Sequence, residues 1–107
     1  MAAEKVVEPV GEELVSYELV IVVRPDASEE EVEAVLDSVS GYITGRGGTV
    51  TEVERWGKRR LAYPIKHNTQ GIYALVRFQL KPEHNRELEA NLRISENILR
   101  HLLVKLD

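Results

Sequence analysis

A four-stranded antiparallel sheet carrying two helices on one face is the architecture expected from the order of patterned segments in this chain. Three observations lead there. Four short β-rich runs are separated by two stretches whose apolar residues recur at helical spacing. Their order is β-α-β-β-α-β, the split β-α-β arrangement of the α+β class. The chain has 107 residues, 43% of them hydrophobic, which suffices for one modest core and not for two.

The stretch from residue 1 to 15 shows no clear period, is interrupted by Pro9 and Gly11, and carries Glu4, Glu8, Glu12 and Glu13 against Lys5 alone. It reads as a flexible acidic tail, leaving residues 16–107 as the single domain. The first strand follows at Tyr17 to Val23. It is apolar on both faces and stopped by Pro25-Asp26, which suits a position inside the sheet. Ser28 and Glu31 form a capping-box pair. Val32, Val35, Leu36 and Val39 then mark one apolar helical face that ends at Gly45, Gly47 and Gly48.

Thr49 to Glu54 reads as the second strand. The pattern breaks at Trp56-Gly57 and resumes through Leu61-Ala62-Tyr63, where Pro64 favours an edge position. In the third strand, Gly71 to Leu80, residues Ile72, Ala74, Val76, Phe78 and Leu80 share one face. Tyr73, Leu75, Arg77 and Gln79 share the other, which is expected to stay uncovered. Pro82 suits a first helical turn, Leu88 and Leu92 are spaced i, i+4, and Ile98 to Leu106 reads as the last strand. The whole is a ferredoxin-like sandwich.

Formal net charge is −4, which argues against nucleic-acid binding by total charge, so the distribution matters. From Asp26 to Asp37 there are six acids and no base, a pattern suited to a solvated helix face. From Glu54 to His67 the balance reverses: Arg55, Lys58, Arg59, Arg60 and Lys66 face one acid, with Trp56 and Tyr63 interleaved. Two readings fit. Guanidinium forks grip phosphates and aromatic faces stack on unpaired bases. Alternatively, charges keep an edge strand soluble.

That stretch carries a resemblance. Trp56-Gly57-Lys58-Arg59-Arg60-Leu61-Ala62-Tyr63-Pro64-Ile65-Lys66 resembles, position for position, the signature of the sixth protein of the bacterial small ribosomal subunit. Tyr17-Glu18, Gly71, Tyr73 and Ile98-Leu99-Arg100 extend the likeness over about Tyr17 to Lys105. The segment before Tyr17 departs from it, since family members usually start close to that strand. The resemblance implies a ferredoxin-like fold, a ribosomal and cytoplasmic location, and no catalytic activity or cofactor. It also implies binding to the central domain of small-subunit rRNA together with small-subunit protein eighteen. It places Lys58, Arg59, Arg60, Tyr63 and Lys66 against RNA or the partner, with Arg100 and Tyr17 added to that set. Gly57 is expected to serve backbone geometry, while Leu61 and Ile65 pack inward, as Tyr63 could also do.

An RNA-recognition motif shares this strand order, but its third strand needs two outward aromatics with a glycine before the first. Tyr73 fits the first aromatic position. Leu75 stands at the second and Ile72 at the glycine, so a stacking platform on the third strand is incomplete, and RNA should be gripped by an edge strand and loops. A small-ligand regulatory module of the same fold is a further alternative. It would usually be joined to an enzyme domain, and this chain has none. Enzyme readings are weaker. His67, His84 and His101 have no ligand spacing, and cysteine is absent. Gly45-Arg46-Gly47-Gly48 follows a helix and precedes a strand, the reverse of a phosphate-cradling loop. His84 and Arg86 near a helix start offer an anion contact, as many helices do. The longest apolar run, Leu19 to Val23, is far short of a membrane span, which needs about 20 residues.

Overall fold

The computed structural model describes residues 13–106. The tail expected before the domain falls almost wholly outside those residues. The elements are β1 (Val15–Val23), α1 (Glu29–Gly45), β2 (Thr49–Ile65), β3 (Asn68–Leu80), a 3-10 turn (Pro82–His84), α2 (Asn85–Ile94) and β4 (Ile98–Lys105). The β-α-β-β-α-β order and the antiparallel sheet match the expectation. Strand order is β2-β3-β1-β4, so the apolar β1 is internal and the charged β2 is an edge.

Strand alternation fixes which face takes the helices. Tyr17, Leu19, Ile21 and Val23 of β1 and Ala74, Val76, Phe78 and Leu80 of β3 are buried. They meet Val32, Val35, Leu36, Val39 and Ile43 of α1 and Leu88 and Leu92 of α2 in one core. Each such large side chain contributes roughly 1.5–3 kcal/mol. Ser28 caps α1 as its spacing predicts: its hydroxyl accepts from the Glu31 backbone N–H, and the Glu31 carboxylate accepts from the Ser28 N–H.

β2 differs from expectation, being one continuous strand. The break at Trp56-Gly57 is a bulge, where pairing with β3 slips between Arg55 and Gly57. Gly57 takes φ of +85°, a left-handed conformation that costs a side-chain-bearing residue energy and glycine little. Beyond the bulge β2 and β3 outrun β1, whose last partner on β3 is Ile72. They continue as a two-stranded arm, residues 57–71, closed by a tight turn with Lys66 and His67 both at positive φ.

The arm bends onto the helix-free face. A Cβ at Gly71 would lie 2.4 Å from Val22 Cγ1, so only glycine lets the arm approach β1 this closely. The face expected to be uncovered is therefore partly covered, and Val22, Leu61 and Leu75 on it are buried.

Candidate nucleic-acid interface

The arm and the sheet face beneath it hold most of the residues singled out in the sequence. Arg59 and Arg60 lie opposite Gly71 and Gln70 on β3, and as neighbours on one strand they point to opposite sides. Both are exposed, as are Lys58 and Lys66. Among the described residues no carboxylate lies within ion-pair distance of Arg59, Arg60 or Lys66. By contrast Arg55 is paired with Glu33 on α1 and is not free to receive a phosphate. Three cations without a carboxylate partner among the described residues thus lie past the bulge, with Lys66 in the turn that closes the arm. Asn68 steadies that turn by donating to the carbonyls of Ile65 and Lys66.

Tyr63 and Arg100 are far apart in sequence and meet here. Arg100 Nη1 donates to the Tyr63 hydroxyl at 2.6 Å, and its guanidinium carbon lies 6.0 Å from the ring centroid. The tyrosine is 57% exposed, so it does not pack into the core as it could have done. Arg100 is exposed too. Tyr63, Arg100, Val20, Val22, Leu61 and Leu102 line a groove of about 200 Å³ between the arm and β4. Leu102 is 54% exposed there, an apolar side chain left in water.

Tyr17 is corrected. It is 5% exposed and stacked on Phe78, ring centroids 5.6 Å apart. Its position in β1, two residues before Leu19, turns it to the helix side, so its ring belongs to the core and not to a binding surface. Leu61 is buried as expected, and Ile65 is half-buried.

The sequence reading did not place Trp56. The bulge turns its indole onto the helix-free face, stacked on Tyr73 with centroids 6.4 Å apart and planes 15° from parallel. Its N–H donates to Glu54 at 2.8 Å, and the Arg59 guanidinium carbon lies 5.4 Å from its ring centroid. The indole bond is the main reason the Glu54 carboxyl is held below its ordinary pKa. A glycine directly after a tryptophan inside a strand is the sequence signal for such a bulge. It does not say to which face the ring turns.

At the opposite end of the same face, Arg77 bridges Glu18 at 2.9 Å and Glu52 at 2.6 Å, which raises its pKa. That end presents neutralised charge, and the arm end presents free positive charge. The histidines remain scattered: His67 in the arm's turn, His84 in the 3-10 turn, and His101 on β4 beside Glu89.

Known proteins share this fold. The family model described as "Ribosomal protein S6" matches residues 16–105. The small ribosomal subunit protein bS6 of Dehalococcoides mccartyi is 40% identical over 107 residues, covering 100% of this chain and 98% of that protein. Its match includes the segment before β1, so that extension is shared with a relative. The bS6 of Pseudarthrobacter chlorophenolicus is 45% identical over 84 residues, 78% of this chain and 83% of its own. The crystal structure of 30S ribosomal protein S6 from Thermotoga maritima superposes with a TM-score of 0.82 at 30% identity, covering 88% of this chain and 89% of that one. Family match, full-length relatives and superposition agree, and the chain belongs to the ribosomal protein S6 family, a structural and not a catalytic component of the small ribosomal subunit.

Proposed function

We propose that the chain binds the central domain of small-subunit rRNA during assembly, jointly with small-subunit ribosomal protein eighteen. The observation that carries this reading is the arm, where Arg59, Arg60 and Lys66 are exposed and have no ion-pair partner among the described residues. Free guanidinium and ammonium groups bind phosphate without first breaking a protein ion pair. The joint mode follows from charge. With a formal net charge of −4 and one compact basic stretch, the chain alone attracts polyanions weakly, and a basic partner supplies what is missing. The groove between arm and β4, with Leu102 at its rim, offers that partner apolar contact.

Titration calorimetry with a central-domain rRNA fragment tests the reading. The expected result is weak binding by the chain alone and tight binding once protein eighteen is present. Tight binding by the isolated chain, unchanged on adding the partner, would overturn the joint mode. No binding under either condition would overturn the rRNA assignment itself.

A further inference from the structure

We infer that Trp56 and Tyr73 form a stacking platform for an unpaired RNA base, a site adjoining the cations of the arm. The inference rests on the RNA-binding reading and adds to it a ligand group and a place.

Third-strand residues alone supply one outward aromatic, Tyr73, because Leu75 occupies the position where a second would stand. The structure supplies the second from the neighbouring strand. At the β2 bulge, Arg55 stays on the helix side with Glu33, while Trp56 joins Glu54 and Tyr73 on the other face. The two rings lie within 15° of parallel, with Tyr73 backing the indole and the Arg59 guanidinium over it. Trp56 remains 37% exposed, although a tryptophan placed only for packing gains by burial. Its indole is fixed before any ligand arrives, stacked on one side and hydrogen-bonded to Glu54 at its edge, so little side-chain freedom remains to be lost on binding.

The surroundings favour a base over a phosphate at the rings themselves. Glu54 is an anion at the platform's rim and repels phosphate there, while accepting from the N–H groups of a base edge. Phosphate is favoured immediately beside it, at the exposed Arg59. Arg59 lies over the Trp56 ring at 5.4 Å and makes no ion pair among the described residues. It can therefore turn outward to a phosphate as a base takes its place on the indole. Cations flanking an aromatic surface are the recurring design of single-strand recognition.

The chain contains one tryptophan, so its fluorescence reports on this site alone. The full-length protein is titrated at low salt with a fluorescein-labelled ten-nucleotide oligouridylate, an oligoadenylate of the same length, and inorganic polyphosphate of matched charge. Stacking predicts that both oligonucleotides quench Trp56 and that polyphosphate leaves it unquenched. By anisotropy, Trp56→Ala should weaken oligonucleotide binding on the order of 5- to 150-fold, the range found for one stacked base, and Trp56→Phe should recover most of it. Circular dichroism melts of the variants check that they fold. Equal affinity of Trp56→Ala and wild type, or equal quenching by polyphosphate, overturns the inference. Quenching by protein eighteen and none by RNA also overturns it and assigns the platform to protein. If Trp56→Ala still assembles normally on the rRNA fragment with protein eighteen, the platform alone fails. If wild type itself does not bind that fragment, with or without protein eighteen, the RNA-binding reading fails and the platform with it.

Discussion

Arg100 on β4 donates to the Tyr63 hydroxyl on the arm at 2.6 Å, tying together two elements separated by the whole width of the sheet. The bond spans a face that no helix covers. It links the arm to β4 by side chains, and its loss should be felt in the arm more than in the core. Tyr63→Phe keeps the ring and removes the hydroxyl. Both partners are exposed, so the expected cost is small, about 0.5–1 kcal/mol in urea unfolding. Hydrogen exchange should quicken at arm amides near Tyr63 and stay unchanged in α1. Uniform quickening would show that the bond supports the whole domain.

Gly71→Ala tests how the arm is seated. The new Cβ meets Val22 Cγ1 at 2.4 Å, and the backbone oxygen of Val23 and Leu61 Cδ2 are close behind at 3.4 and 3.6 Å. Val22 is a β-branched side chain on an internal strand and cannot swing away freely. Overpacking of this kind costs about 1–3 kcal/mol. The variant should melt lower and should also assemble less well on rRNA, because the arm that carries Arg59 and Arg60 is tilted off the sheet. Unchanged melting would mean that the arm lifts at no cost.

These two contacts show where the sequence was readable and where it was not. Periods of two and of about 3.6 revealed β1, both helices and the buried face of β3, because those patterns record only which side of an element meets the core. The Ser28–Glu31 cap was readable for the same local reason. The arm was not, since its fold onto the sheet depends on Gly71 passing Val22, a contact between strands. Tyr17 misled because an aromatic hydroxyl suits either a surface or a core, and only pairing register turned it toward Phe78. The neighbour of Tyr73 is not legible in β3 itself, because β2 supplies Trp56 through an irregularity in pairing.

Acid stability should show a contribution from the turn after β1. The Arg24 guanidinium, 2.9 Å from Asp26, bonds to that carboxylate and holds its pKa below the ordinary value, with Lys58 adding a weaker pull. A carboxyl depressed in the folded state stabilises above its unfolded pKa, and that stability is lost as pH falls through the folded pKa. The loss should therefore begin below about pH 4–5 and be complete only at more acid pH. Asp26→Asn should lower the melting temperature at neutral pH by a small amount, because the pair is exposed. Toward pH 2 the two proteins should converge. A gap that persists undiminished at acid pH would place the effect of the substitution elsewhere than in this charge pair.

The basic stretch makes the strongest demand on the RNA-binding reading. Arg59 shares a side of β2 with Trp56, and Arg60 points the other way, so one rRNA strand cannot engage both equally. The arginine that contacts phosphate, replaced by alanine, should weaken assembly and reduce the salt slope by about one unit at most. Its neighbour should affect the partner surface or nothing measurable. Neither change should shift stability by more than about 0.5 kcal/mol, since both side chains are exposed. Leu61 is the contrasting control, at 7% exposure beneath the arm. Leu61→Ala should cost about 2–5 kcal/mol. The lower end is expected, because Leu61 packs beside Val22 and Gly71, outside the main core shared with the helices. Thermal melting with salt-dependent filter binding on the three variants separates these roles. If both arginine variants bind with unchanged affinity and slope, the basic stretch keeps an edge strand soluble and no more. The RNA contacts would then have to lie elsewhere on the chain.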